Sequence, residues 1–252
     1  MKVKGVFFDL YGTLLLYGDM DAAWADWLSA LHGHLVGRGL AMSRDSLASY
    51  CDGLFSRPQP SFCEDGLSLY ERRLKALLCG ELGLRLTHSE IGEAATASLT
   101  AWDKHSSLDP EAVPVLRALT ADKVVALVSN FDHPPHIHSV VNDLGLKEFF
   151  DPMVISGEVG FQKPDPRIFQ HALERTGLLP ADVLYVGDSV EHDVEGALAA
   201  GIRPVLIRRD KHDPGAVAND FRVRRIDSEG RRCASHVAVI LRLSELTGTL
   251  LD

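Results

Sequence analysis

Short apolar runs punctuate the chain at residues 3–8, 123–128, 153–155, 183–186 and 204–207. Between the later runs lie segments whose apolar residues recur at helical spacing: 111–119, 135–144, 166–176 and 194–200. A short, almost unbroken apolar run reads as a strand buried on both faces, and single helices between such strands are the crossovers of a parallel sheet. The pattern therefore predicts an α/β fold with a doubly wound parallel sheet. Ligand sites in such sheets lie outside the carboxyl ends of the strands. Asp9, Ser129 and Asp188 each stand just past a predicted strand, so all three are expected to converge on one cleft.

The rhythm breaks between Tyr17 and His105. Residues 21–40, 43–55, 66–78 and 89–102 carry helical periodicity with no strand pattern between them. This predicts an all-helical insert and two domains: a core of residues 1–16 and 106–252, and a cap of residues 17–105. An insert that springs from the turn beside a nucleophile is placed to exclude water and to contact substrate. Trp24, Trp27 and Trp102 fall in the insert. Helical core is their ordinary place, and a substrate-pocket wall is the functional alternative. Arg57-Pro58-Gln59-Pro60-Ser61 reads as a local loop.

Composition narrows the classes. A length of 252 residues with 46% hydrophobic content suits one large domain, or a core with a smaller insert. A formal charge of -9 argues against a general nucleic-acid partner, since phosphate backbones reward clustered Lys and Arg. The arginines at 222, 224, 225, 231 and 232 read as a solvated edge or loop. Cys51, Cys63, Cys79 and Cys233 form no CxxC pair, which points to reduced thiols and a cytoplasmic protein. The first apolar run is short and leads into Asp9, so a core strand is expected rather than a cleaved signal. No run approaches the ~18 apolar residues of a membrane span. Monomer and homodimer are both compatible with the chain.

Chemistry concentrates at four stations: Asp9-Leu10-Tyr11-Gly12-Thr13, Ser129-Asn130, Lys163-Pro164-Asp165-Pro166, and Gly187-Asp188-Ser189 with Asp193. An ionised aspartate can serve as a covalent nucleophile. Ser129 and nearby backbone N–H groups can hold the oxygens of a transferring anion, and Lys163 supplies a point charge. Asp188 and Asp193 beside Asp9 would make a set of hard oxygen ligands, and Mg²⁺ would relieve their repulsion. Asp165, between two prolines, reads as a structural cap for the next helix.

The ordered set strongly resembles the haloacid dehalogenase superfamily of hydrolases, including a helical cap after the first motif. Residues 157–169 look like the third motif of that family and residues 185–197 like the fourth. The resemblance implies that Asp9 is the nucleophile. It implies that Mg²⁺ is held by Asp9, the backbone carbonyl of Tyr11 and Asp188, with Asp193 in or near the coordination sphere. It further implies that Ser129 and Lys163 bind the transferring group, that Thr13 supports Asp9, and that Asn130 shapes the pocket.

Two positions pull in opposite directions. Family phosphatases usually carry Asp where this chain has Tyr11, and that Asp protonates the leaving oxygen. A phenol with an ordinary pKa of about 10 is a poor base at neutral pH. The first motif is thus similar to that of 2-haloacid dehalogenases, whose halide leaves without a proton. Yet Asp188 stands where those metal-free enzymes carry a small polar residue. No cap arginine identifies itself as a carboxylate holder; Arg38, Arg44 and Arg57 are the candidates by region. A metal site weighed against a missing acid favours Mg²⁺-dependent hydrolysis of a small phosphorylated metabolite. Dehalogenation of a halo acid is the alternative, and a catalytically degenerate binding module the third reading. A substitute base is sought at Glu191, His192 or among His133, His136 and His138. For those last three the ordinary expectation is exposure at a helix start, with Asp132 as N-cap.

Overall fold

The first apolar run folds as β1 (Gly5–Phe8), buried at every position. It is followed by β2 (Leu15–Tyr17), β3 (Ser106–Leu108), β4 (Val124–Ser129), β5 (Met153–Ile155), β6 (Val183–Gly187), β7 (Arg203–Ile207), β8 (Asp220–Ile226) and β9 (Arg232–Ile240). This computed structural model describes residues 3–58, 65–209, 220–226 and 232–249. One sheet runs in the order β5-β4-β1-β6-β7-β9-β8, and β2 pairs with β3. Every pairing from β5 through to β9 is parallel. Among the described strands of this sheet, β8 alone runs antiparallel, against β9 at the sheet edge.

The register explains why the predicted stations meet. Phe8 lies opposite Leu127 of β4 and Val186 of β6, and Asp9 N–H donates to the Val186 carbonyl at 2.9 Å. The strand ends that carry Asp9, Ser129 and Asp188 are therefore adjacent. From β1 the chain winds outward through β4 and β5 on one side and β6 and β7 on the other. The crevice at such a reversal is where open α/β sheets bind ligands.

The helices are α1 (Met20–Val36), α2 (Arg44–Cys51), α3 (Leu69–Lys75), α4 (His88–Asp103), α5 (Ala112–Leu119), α6 (Pro134–Asp143), α7 (Ser156–Val159), α8 (Pro166–Thr176), α9 (Gly196–Ala199) and α10 (Leu246–Thr249). Helix α8 begins as expected: Asp165 is its N-cap, accepting from Arg167 N–H, and Gly177 ends it in the left-handed conformation. Its apolar face of Ile168, Phe169, Ala172 and Leu173 packs with Phe7, Ala126, Val128, Val154 and Tyr185 of the sheet. Such a face is what an amphipathic crossover must bury.

The chain divides into two units. One comprises Met1–Leu16, Leu108–Phe131 and Val141–Asp252; the other comprises Tyr17–Ser107 and Asp132–Val140. The second unit is helical and firmly capped. Asp19 and Ser43 cap α1 and α2, and reciprocal Ser68/Glu71 and Thr87/Glu90 boxes start α3 and α4. Its interior holds a polar relay in which Trp27 Nε1 donates to Tyr70 Oη at 2.9 Å, and Tyr70 Oη meets Ser98 Oγ at 2.8 Å. Trp24 stacks on Trp27 at 4.8 Å.

Several elements differ from the sequence pattern. The helix expected over 43–55 stops at Cys51, because Gly53 takes φ 65° and a 3₁₀ turn follows at Leu54–Ser56. The helix expected over 194–200 begins earlier, as a π-helical stretch (Val190–Glu195) that runs into α9. The β8–β9 hairpin, the β2–β3 ribbon and the short helices α7 and α10 carry no pattern that periodicity could reveal. The arginine-rich segment supplies the edge strand β8 and the start of β9; residues 227–231 lie outside the described residues, as do Gln59, Pro60 and Ser61 of the proline loop. Cys51 and Cys79 are free thiols, while Cys63 lies outside the described residues. No helix among the described residues is long and apolar enough to cross a membrane.

Candidate active site

Past β1 the backbone closes a tight turn in which Leu14 and Leu15 N–H groups both return to the Leu10 carbonyl, at 2.8 and 2.9 Å. Gly12 makes the turn possible twice over. Its φ of +84° is one that a side chain rarely adopts, and a Cβ there would stand 2.2 Å from Asp188 Oδ2. A second close approach occurs at Gly187, where a Cβ would lie 2.3 Å from the Asp193 carboxyl carbon. The glycines thus allow two carboxylates to crowd toward the end of β1. Oxygens of Asp9, Asp188 and Asp193 lie within 4.8 Å of one another.

Lys163 stands among them. Its buried Nζ donates to Asp9 Oδ1 at 2.6 Å, Asp193 Oδ1 at 2.7 Å and Tyr185 Oη at 2.9 Å. Its backbone is clamped by Asn130, whose Nδ2 donates to the Lys163 carbonyl at 2.9 Å and whose Oδ1 accepts from Lys163 N–H at 2.7 Å. Asp193 is held from the other side by Ser189 N–H at 2.9 Å.

The electrostatics follow from three carboxylates and one buried ammonium. Burial, reinforced by Asp193 and Asp188 and opposed by Lys163, raises the Asp9 pKa to about 7. Asp188 is open to water on one side, yet partial burial and the charge of Asp193 lift it to about 6. Burial alone would depress the Lys163 ammonium, but Asp9 and Asp193 outweigh it and hold the pKa above its ordinary value. The group carries more negative charge than one lysine balances. Hard carboxylate oxygens in this arrangement suit a small divalent cation such as Mg²⁺, so the residues present fit the metal that the fold family implies.

The remaining expected residues fall into place unevenly. Ser129 is buried at the end of β4. Tyr11 is mostly buried, with its ring stacked on Phe131 at 5.8 Å. Thr13 is fully buried, its hydroxyl meets no hydrogen-bond partner among the described residues, and its carbonyl accepts from Arg209. Arg209 also pairs with Asp109 at 2.6 Å, so it ties the turn after Asp9 to the start of the next segment.

Tyr185 joins this group although no motif marks it in the sequence. Its hydroxyl sits within 3.1 Å of the Val128 carbonyl and 3.0 Å of Asp193 Oδ1, in addition to Lys163. The available signal was a phenol inside the otherwise apolar run Val183-Leu184-Tyr185-Val186, two residues before Gly187 and so on the same face of its strand.

The histidine segment corrects an expectation. His133 is buried, not exposed, with Nδ1 2.7 Å from Ser68 Oγ. Asp132 is not an N-cap; its carboxylate accepts from Arg73 Nε at 3.1 Å. Burial keeps His133 and His136 below the ordinary imidazole range, while His138 and His192 are exposed. Among the cap arginines, Arg38 pairs with Glu93 and Arg57 with Glu81, both at 2.6 Å, and Arg44 faces Asp45 at the surface.

Known proteins share these features to different extents. A glyceraldehyde 3-phosphate phosphatase of Methanopyrus kandleri is 44% identical over 77 residues, 31% of this chain and 33% of that protein. A phosphoserine phosphatase of Thermus thermophilus is 46% identical over 81 residues, 31% of this chain and 32% of that protein. The chain thus matches about a third of the length of these curated relatives. A solved 2-haloacid dehalogenase from Pseudomonas syringae superposes with a TM-score of 0.63 and 22% identity, covering 98% of each chain, which shows a shared fold. The model of the haloacid dehalogenase-like hydrolases matches residues 3–201, a span that takes in the turn after β1, the Lys163 clamp and the acidic pair beyond β6. That match covers well over half of the chain, and the chain belongs to the haloacid dehalogenase-like hydrolase family.

Proposed function

We propose that this hydrolase is a Mg²⁺-dependent phosphatase acting on a small phosphate monoester, with Asp9 as nucleophile. The observation that carries the reading is the Asp9 carboxylate at the end of the central strand, bonded to Lys163 at 2.6 Å and clustered with Asp188 and Asp193 within 4.8 Å. An Asp9 oxygen attacks phosphorus, the bond to the leaving oxygen breaks with its electron pair passing to that oxygen, which takes a proton from water, and an aspartyl-phosphate forms. Water then attacks that phosphorus, releasing inorganic phosphate and free Asp9. Lys163 offsets the charge on the transferring oxygens, and the Ser129 hydroxyl with adjacent N–H groups orients them. Asp9, the Tyr11 carbonyl and Asp188 would hold Mg²⁺, with Asp193 in or beside its coordination sphere. The metal, when bound, supplies charge neutralisation between carboxylates and phosphate. The phosphatase names of two relatives support this reading.

One observation favours a second reading. Tyr11 packs its ring on Phe131 where a leaving-group acid is expected, and halide departure needs no proton. A 2-haloacid dehalogenase would attack carbon with the same Asp9 and need no metal.

Phosphate release from an aryl phosphate, with Mg²⁺ and with excess EDTA, separates the two. An aryl leaving group departs without much acid help, so the assay is fair to a site with Tyr11. Mg²⁺-dependent release that disappears in Asp9→Asn is the expected result. No phosphate release, with chloride freed from 2-chloropropionate in EDTA, would establish the second reading instead.

A further inference from the structure

We propose that Tyr185 is a positioning residue for Lys163: its hydroxyl is the fixed partner that keeps Nζ in place while the two carboxylates on that ammonium change partners. The mechanistic half of this proposal rests on the phosphatase reading; the Lys163–Tyr185 coupling does not.

An ammonium has three hydrogens, and Lys163 spends one each on Asp9, Asp193 and Tyr185, at 2.6, 2.7 and 2.9 Å. The first two acceptors are not constant during turnover. Asp9 becomes esterified when it attacks, and Asp193 belongs to the acidic group that a cation would engage. Each change loosens one bond to Nζ and asks Lys163 to donate to the incoming group. The phenol oxygen alone keeps the same charge and the same covalent partners throughout.

Tyr185 is also built to stay still. It is fully buried on β6, and Phe169 of α8 meets its ring edge-on at 4.9 Å and 82°. Its single proton has two acceptors within reach, the Val128 carbonyl at 3.1 Å and Asp193 Oδ1 at 3.0 Å. When Asp193 is engaged elsewhere, the proton turns to the backbone of β4, and the oxygen still faces Lys163. Lys163 is therefore anchored at both ends, its backbone by Asn130 and its ammonium by Tyr185. A lysine side chain otherwise carries much rotamer entropy, which this arrangement removes before substrate arrives.

The test uses four proteins: wild type, Tyr185→Phe, Lys163→Arg and the double variant. Phe keeps the ring and its edge contact and removes only the hydroxyl. With an aryl phosphate and Mg²⁺, Tyr185→Phe should lower kcat by about ten- to hundredfold and leave KM within about twofold. Lys163→Arg keeps a charge but not the point donor that the phenol holds, so adding Tyr185→Phe to it should change kcat by less than about twofold. A kcat for Tyr185→Phe within twofold of wild type would overturn the proposal. So would a shift in KM alone, or the same fold-loss in both backgrounds, which marks a generally structural role. If wild type releases no phosphate, the phosphatase reading fails separately, and urea unfolding of the same four proteins decides the coupling. Additive stability losses would then overturn it, and non-additive losses would sustain it.

Discussion

Three carboxylates around one buried ammonium leave Asp9 partly unwilling to ionise, and that has a measurable sign. An unfolded chain returns Asp9 to an ordinary carboxylate pKa of about 4, whereas the metal-free folded site raises it to about 7. Between those values the folded state binds more protons than the unfolded one. Its contribution is complete below pH 4 and is lost as pH rises through 7. Urea unfolding in EDTA should show stability falling from pH 5 to pH 8 by on the order of 2 kcal/mol, with a flatter profile in Asp9→Asn. A wild-type profile that rises across this window would contradict the account. At the neighbouring position, Tyr11→Asp should restore a proton donor and raise hydrolysis of alkyl relative to aryl phosphates about ten- to hundredfold. An unchanged alkyl-to-aryl ratio would show that Tyr11 does not occupy the acid's place. Asp9 and Asp188 stand out in the sequence because each follows a strand signal, Lys163 because it opens a proline turn, and Asp193 because it lies close behind Asp188. The third partner of Lys163 does not, since a tyrosine in an apolar run looks like core until its hydroxyl is seen among charges. His133 was misjudged for the converse reason: its Ser68 partner lies 65 residues away in sequence, beyond any local pattern.

Elements were legible to the degree that one periodicity governed them. The central strands and α8 carry unbroken apolar faces, so their positions follow from the residues alone. The β8–β9 edge hairpin is invisible to that logic, because an edge strand rich in arginine satisfies no burial pattern. The break after α2 turns on the conformation of Gly53. The turn after β1 depends on Gly12 in the same way, and more severely. Gly12→Ala should cost on the order of 1–3 kcal/mol and, by pushing Asp188 aside, remove most activity while β1 itself persists; retained turnover would refute this close packing. Helix α3 offers a milder test. Ser68 caps it, completes a box with Glu71 and holds His133, so Ser68→Ala should lower stability by about 1–2 kcal/mol. A neutral change in thermal unfolding would show that water replaces both side-chain contacts.

For the whole molecule, the net formal charge of -9 and the acidic cluster act in the same direction, since both reward cation binding. Mg²⁺ at about a hundredfold over its dissociation constant should raise stability by roughly 2.7 kcal/mol, more at pH 8 than at pH 5 because ionised carboxylates are the ligands. Equal thermal shifts in wild type and Asp188→Asn would place the metal elsewhere. The division of the chain carries a further consequence for recombination. The helical unit is not one contiguous cassette, because it includes Asp132–Val140 as well as Tyr17–Ser107. Arg73 and Ser68 from the long piece find Asp132 and His133 on the short one. A chimera cut only at the two ends of the long piece would inherit a buried guanidinium without its carboxylate and a helix cap without its imidazole. A helical unit exchanged between relatives therefore has to move both pieces together. The donor of the nine residues that follow Phe131 must match the donor of the helices, even though those residues adjoin the Ser129-Asn130 station of the recipient.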